Sequence, residues 1–414
     1  MTPPTHTSHA VSPGHPDLLA AIRHEIDQTG PIPFARFMEL ALYHPSFGYY
    51  MRHHGADDAE RRIGWQGDYY TTSDVSAFFA KALAAQAREI DARLGEPDVF
   101  TIVEMGPGKG LLARDVLRAC EADAPDFFAR LQYVLIERSP VMRAAQAQHL
   151  APWGGTGGVG LRRKPVSWLD DTGRLATRSV VGLVYSNELV DAFPVHRVRK
   201  QAGVVHEIYV RHDGERFIET LGDLSSLELR ATIQRLEDSG LVLADGATAE
   251  FNVAALGWMR EVARVLARGS VVTIDYGHTA SDLYDPQRRD GTLLCYYHQT
   301  ASDDPYTRVG LQDMTAHVDF TALATAGDEA GLRVTGFTNQ MSFLMGWGIE
   351  QELARYEPGS APFQSLVHLL KPEGMGRTFK LLFQHTGYEP GELTGLKYRP
   401  FFGEALSLPG ARRG

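Results

Sequence analysis

The sequence predicts an α/β protein built on a mainly parallel sheet with helices on both faces. Three observations lead there. Short β-branched runs, VFTIVEM at 99–105, LQYVLIE at 131–137, SVVGLVYSNE at 179–188 and SVVTIDYG at 270–277, are mostly apolar without a polar face. Such runs suit strands buried on both faces rather than on one. Amphipathic stretches follow the first two, GLLARDVLRACEA at 110–122 and SPVMRAAQAQHL at 139–150, and FNVAALGWMREVARVLARG at 251–269 precedes the last. The first strand runs directly into Gly106-Pro107-Gly108-Lys109-Gly110 before its helix, a strand–turn–helix unit that brings backbone close to a ligand.

The other elements follow in chain order. Residues 1–17 are rich in Pro, Thr and His and are expected to be a disordered tail. An N-terminal helical extension is expected over 18–96, with helices at LLAAIRHEIDQ (18–28), PFARFMELALY (33–43) and SDVSAFFAKALAAQAREIDARL (73–94). The core is expected over 97–340, with insertions at about 195–245 and 278–318. In the first insertion VHRVRK, VVHEIYVR and RFIETL alternate as antiparallel strands do. Residues 341–414 are expected to add helices and a late strand, FKLLFQ at 379–384.

Composition narrows the function. The chain has 414 residues, 43% hydrophobic and 22% charged, the balance of a globular protein. A net charge of −10 gives no overall basic field for nucleic acid or anionic lipid. No apolar run is long enough to span a bilayer. Cys120 and Cys295 both sit in apolar runs and read as buried thiols in a reducing compartment, so the chain is expected to be cytoplasmic. His53 and His54 lack the spacing of metal ligands, and no metal site is expected.

The glycine loop discriminates among three ligand classes. A P-loop ends in Gly-Lys-Ser or Gly-Lys-Thr, whereas Lys109 is followed by Gly110-Leu111. A dinucleotide fingerprint needs Gly or Ala where Leu111 stands, and the larger side chain would crowd a pyrophosphate. S-adenosyl-L-methionine has no pyrophosphate and accepts GxGxG. Glu137, at the tip of the second strand, is placed to accept both ribose hydroxyls, and Glu104 to accept the cofactor's ammonium. Gly106, Pro107, Gly108 and Gly110 form the cradle. Leu169 and Asp170, in SWLDD, are candidate adenine contacts, with a surface turn as the alternative. Thr71, Thr72 and Ser73 precede a helix, where free amides favour an anionic group, with simple N-capping as the alternative.

The acceptor side is expected at Asn187-Glu188-Leu189-Val190-Asp191, where the fourth strand ends. Glu188 is the first candidate for orienting the substrate and Asp191 the second. Asn187 is placed to hold the cofactor or the substrate. His278 or His317 would relay a proton; each is also explained as a hydrogen-bonded loop histidine.

At this point the motifs resemble the MidA-type methyltransferases, which include the mitochondrial complex I assembly-factor arginine methyltransferases. The resemblance rests on GPIPFARFMELALYHPSFGYY, GDYYTTSDVSAFFAKALA, VEMGPGKG, SNELVDAFPVHR, TIDYGH, AHVDFTAL and KPEGMGRTF, in that order across about residues 30 to 385. It implies a Rossmann-like class I methyltransferase domain with a mainly parallel seven-stranded sheet, plus N-terminal helices and inserted β/α segments. It also implies S-adenosyl-L-methionine as methyl donor, with Thr71, Thr72 and Ser73 in a loop closing over its carboxylate, and an arginine of a protein substrate as acceptor, whose guanidinium suits carboxylates because they take bidentate hydrogen bonds from it, with symmetric dimethylation of a complex I-type subunit in the mitochondrial members. Nucleic acid is not expected as a partner, and a homodimer is left open. The alternatives are a small-molecule acceptor, a NAD-dependent oxidoreductase disfavoured by Leu111, and a non-catalytic assembly factor on the same fold.

Overall fold

The computed structural model describes residues 12–52, 77–154, 165–371, 374–398 and 406. Seven strands form the central sheet: β1 Phe100–Met105, β2 Leu131–Ile136, β3 Val166–Leu169, β4 Val180–Asn187, β5 Leu266–His278, β6 Arg333–Asn339 and β7 Phe379–Thr386. Their spatial order is β6-β7-β5-β4-β1-β2-β3. The run from β5 to β3 is parallel, and β7 lies antiparallel between β5 and β6. An eighth, two-residue strand, Val318–Asp319, pairs with the end of β5. The seven expected strands, mainly parallel, are therefore present with one short addition.

The helices that position the site are α1 Pro16–Thr29, α2 Phe34–Tyr43, α3 Ala77–Arg93, α4 Leu111–Asp123, α5 Pro140–His149, α6 Val253–Val265 and α7 Phe320–Glu329. One face of the sheet is covered by α3, α4 and the helices Gln340–Gly346 and Ala361–Leu370, through Phe79, Leu83, Val116, Phe343 and Leu366. The other is covered by α6 and α7 through Met259, Val262, Phe320 and Leu323. Burial on both faces is why β1 has all six residues inside and reads as a continuous apolar run.

The segment after β4 leaves this sheet. Strands His196–Gln201, Val204–His212 and Phe217–Gly222 form an antiparallel meander, joined by Thr248–Phe251 on one side and by Ile32–Pro33 on the other. Helices α1 and α2 pack on it through Leu18, Ile22, Phe34 and Phe37 against Val210 and Phe217. A small sheet of Leu294–Tyr297, Thr300–Ser302 and Asp313–Thr315 lies beneath.

The bounds of one helix and of the strand after it differ from expectation. The helix expected from Phe251 starts at Val253, because Asn252 caps it by accepting the N–H of Ala255 at 3.0 Å, and Phe251 belongs to the preceding strand. That helix ends at Val265, and β5 begins four residues before the expected Ser270, with an irregularity between Leu266 and Arg268 where it meets β4. Among the described residues no helix is long and apolar enough to cross a membrane.

Candidate functional site

In the strand order, β1 and β4 are the neighbours at which the chain reverses its direction of travel across the sheet. Ligands of open α/β sheets bind outside the carboxyl ends of strands at such a point. A cavity of about 870 Å³ opens there. Its walls divide into two halves.

The first half is built on the glycine loop. After Met105 the chain turns through Gly106, Gly108 and Gly110, with φ of 65°, 52° and 80°. Side chains rarely adopt these values. A Cβ on Gly106 would also sit 2.6 Å from Leu189 Cδ1, so the loop and the β4 turn pack closely. Gln146 of α5, fully buried, stitches this half together. Its amide nitrogen donates to Gly108 O at 2.7 Å and to Glu137 Oε2 at 3.2 Å. Ser139 N donates to Glu137 Oε1 at 2.7 Å. Burial pushes the Glu137 carboxyl up to about 7, against these hydrogen bonds.

Glu104 lies under the loop and reaches the cavity wall. Tyr133 OH donates to its Oε2 at 2.7 Å, and Tyr185, on the other flanking strand, bonds the Tyr133 hydroxyl. Burial pushes Glu104 up to about 7, with the two tyrosine hydrogen bonds acting the other way. Asn187 donates through Nδ2 to Glu188 Oε1 at 3.1 Å, while its Oδ1 is buried without a partner among the described residues. An orphaned buried acceptor, two carboxyls and a side-chain-free cradle fit the methionine and ribose parts of S-adenosyl-L-methionine.

The second half surrounds Glu188. This residue has φ of 53°, strained for a side-chain-bearing residue, and its N–H donates to Ile274 O at 3.0 Å. The following turn is held by Asp275, which is fully buried at the end of β5. Asp275 Oδ2 accepts the N–H groups of Leu189, Val190 and Asp191 at 3.2, 2.9 and 3.4 Å. Burial, then the charges of Asp191 and Glu188, hold the Asp275 carboxyl well above the usual range.

The other expected residues fall as follows. Pro107 and Gly108 line the cavity with Glu104, Gly106, Glu137, Asn187 and Glu188. Gly110 does not; it caps α4 behind the loop, against Gln146. Leu169 ends β3 and accepts the N–H of Glu137 at 3.0 Å, and the wall at that end is Asp171 and Thr172 instead. Asp191 is set behind the wall, 4% exposed, with its Oδ2 on the Tyr276 hydroxyl, because the turn pinned by Asp275 rotates it inward. Burial pushes it up to about 6. His317 also lies outside the lining, its ring edge-on to Tyr276 and its N–H on Thr292 Oγ1. His278 stacks near His317. Thr71, Thr72 and Ser73 lie outside the described residues.

Several lining residues were not anticipated. Arg36, Glu39 and Tyr43 come from α2, His196 from the meander and Trp258 from α6. The spacing 36, 39, 43 places the α2 residues on one helical face, opposite the apolar stripe of Phe34, Phe37 and Met38; that stripe's complement was the available signal. His196 and Trp258 had no local signal.

Comparison with known proteins agrees with this geometry. Residues 82–338 match a family described as "Putative S-adenosyl-L-methionine-dependent methyltransferase". Protein arginine methyltransferase NDUFAF7 homolog, mitochondrial, of Drosophila melanogaster is 27% identical, covering 94% of this chain and 90% of its own. Protein arginine methyltransferase NDUFAF7, mitochondrial, of Rattus norvegicus is 25% identical, covering 87% and 83%. A Burkholderia thailandensis crystal structure of a "likely methyl transferase" bound to S-adenosyl-homocysteine superposes with a TM-score of 0.78. It is 32% identical and covers 92% of this chain and 94% of its own.

Proposed function

The chain belongs to this family of S-adenosyl-L-methionine-dependent methyltransferases, and we propose that the acceptor of its methyl group is the guanidinium of an arginine in a protein. The observation that carries the reading is Glu188. It stands on the cavity wall beside the glycine loop, on a strained turn fixed from behind by a buried carboxyl. The names of the relatives support the same acceptor.

Roles follow from the chemistry of each group. Glu104 and the Asn187 carbonyl oxygen would take the cofactor's ammonium, Glu137 the ribose hydroxyls, and Gly106–Gly108 the methionine backbone. When bound, S-adenosyl-L-methionine supplies an electrophilic methyl group on a positively charged sulfur. Glu188 would accept N–H bonds from the guanidinium and concentrate electron density on the nitrogen that attacks. This is catalysis by orientation and electrostatics, without a covalent enzyme intermediate. Asp191 and His317 sit behind the wall, so their part is to support the turn. The buried free thiols Cys120 and Cys295 fit a reducing compartment and support a cytoplasmic placement.

The test is quantitative mass spectrometry of the proteome of a deletion strain. Loss of a methylarginine mark is expected, restored by the parent gene and not by Glu188→Gln, while Glu188→Gln keeps cofactor affinity in calorimetry. An unchanged set of methylarginines would overturn the acceptor. Full restoration by Glu188→Gln would remove Glu188 from its role.

A further inference from the structure

The outer part of the cavity holds a histidine–carboxylate pair that the proposed chemistry does not use. His196 starts the strand after the Glu188 turn and lines the cavity with Glu39 and Glu228. Behind it, Glu207 is fully buried on the next strand. His196 Nδ1 meets Glu207 Oε1 at 2.7 Å. The two remaining bonds on this carboxylate come from Ser225, whose N–H donates to Oε2 at 2.6 Å and whose hydroxyl donates to Oε1 at 3.1 Å. A carboxylate only accepts, so the pair fixes the imidazole with its proton on Nδ1. In the neutral imidazole Nε2 is then a lone-pair acceptor, and it has no hydrogen-bond partner among the described residues. Of the other lining groups, Glu39 and Glu228 are acceptors as well, each already facing an arginine: Glu39 faces Arg36, itself in the lining, and Glu228 faces Arg260.

We infer that His196, held by Glu207, is an acceptor-binding residue whose Nε2 takes a hydrogen bond from an N–H of the methyl acceptor. The inference rests on the reading that this half of the cavity receives the acceptor, but it needs only that the acceptor bear N–H donors. It gives the substrate a second fixed anchor besides Glu188. Such a tautomer-fixed nitrogen selects donors and turns away carbonyl or carboxylate groups.

Glu207→Gln tests the tautomer rather than the fold. Ser225 N–H cannot turn around, so the glutamine must keep its carbonyl oxygen there. Its NH2 then faces His196 Nδ1 and forces the proton to Nε2, reversing the acceptor into a donor, as in other histidine–carboxylate pairs with the acid amidated.

The experiment uses the full chain saturated with S-adenosylhomocysteine and labelled with 15N-histidine. The probes are N-acetyl-arginine methylamide and N-acetyl-lysine methylamide. The parent is expected to show His196 Nε2 unprotonated and shifted by the arginine probe. Glu207→Gln is expected to show the reversed tautomer and bind the probe about tenfold or more weakly, the effect of a lost buried hydrogen bond to a charged group. His196→Gln, which keeps a carbonyl acceptor, is expected to bind better than His196→Leu. S-adenosylhomocysteine affinity should be unchanged in all three.

A protonated Nε2 in the parent, or equal probe affinity in the parent and Glu207→Gln, overturns the assignment. An arginine probe that binds with the His196 resonance unmoved also overturns it and leaves the arginine reading standing. A lysine probe that moves the His196 resonance when the arginine probe does not bind would do the reverse.

Discussion

Asp275→Asn is expected to separate cofactor binding from methyl transfer. Asp275 Oδ2 takes the three N–H groups of the turn, and Oδ1 takes the N–H of Tyr276 at 2.9 Å. All four donors are backbone groups that cannot rotate. Asparagine offers one carbonyl oxygen, so its NH2 must face either the turn or Tyr276. Facing Tyr276 it strands one donor rather than three, and that orientation wins. One unmet buried donor costs about 1–3 kcal/mol. The turn's bonds also lose their charged acceptor and with it roughly half their strength. Against this stands the carboxyl's own penalty, since burial and the charges of Asp191 and Glu188 already hold it well above the usual range. Asparagine carries no such penalty. A raised carboxyl contributes stability in acid and loses it as pH rises through the folded value, so the variant's deficit shrinks as pH rises. Near neutrality the two terms oppose each other. The geometry does not offset. Glu188 sits at φ 53°, a conformation costing on the order of 1–3 kcal/mol that persists only while its surroundings impose it. With the anchor weakened the turn relaxes, and a displacement of about 1 Å can cost about a hundredfold in rate. The assay is transfer of labelled methyl into extract of the deletion strain, beside calorimetry with S-adenosylhomocysteine and thermal melting. Transfer should fall at least about tenfold with cofactor affinity unchanged. A folded Asp275→Asn that transfers at the parent rate would refute the positioning argument.

Two further outcomes concern the cofactor half. Gly108→Val places a β-branched side chain at φ 52° in the loop, and calorimetric binding of S-adenosyl-L-methionine should vanish; unchanged affinity in a folded variant would sink the loop assignment. Because Glu104 is raised to about 7 and must be ionised to hold an ammonium, affinity should fall as pH drops below that value, towards tenfold per unit at about one proton released. Calorimetry near pH 6 in two buffers of different ionisation heat reads the released proton, and Glu104→Gln should reduce the release. Glu137, also raised to about 7, contributes with the same sign and leaves a remainder. A pH-independent affinity in the parent would remove the ammonium role from Glu104.

The cofactor half was readable because it is local. β1, the glycine loop, α4 and β2 follow one another within 100–136, and each carries its own signal: an apolar run, glycines, an amphipathic stretch, a terminal Glu. β3 was harder to read, since VSWL is four residues with only its first fully inside. The acceptor half was legible only at Glu188. Asp275 meets the Glu188 turn because β4 and β5 are neighbours, with Asn187 opposite Ile274, and nothing within TIDYGH announces that pairing. Glu207 meets His196 through hairpin register, with Val198 opposite Glu207. Asp191 was misjudged for the same reason. Its type and position suited an acceptor contact, but the direction of its side chain is set by Asp275, 84 residues away.

The N-terminal extension belongs to the acceptor half, not merely to the surface of the core. Tyr43 OH donates to Ala192 O at 2.9 Å, and Tyr50 OH to Asp313 Oδ1 at 2.7 Å. Ser139 Oγ donates to Tyr50 O at 3.0 Å, reaching across from the segment that holds Glu137. The two tyrosine rings stack at 5.4 Å, and both line the cavity. The extension therefore bridges the Glu137 side and the Glu188 side and covers both. Without that cover Glu188 would face open water, where a carboxylate–guanidinium contact is worth far less than in a screened cleft. The cofactor cradle is assembled by the sheet, the glycine loop and α5. On the proposed reading, the setting in which Glu188 acts on a cation includes α2 and the two tyrosines that share its cavity wall, so the additions around the sheet take part in the proposed chemistry.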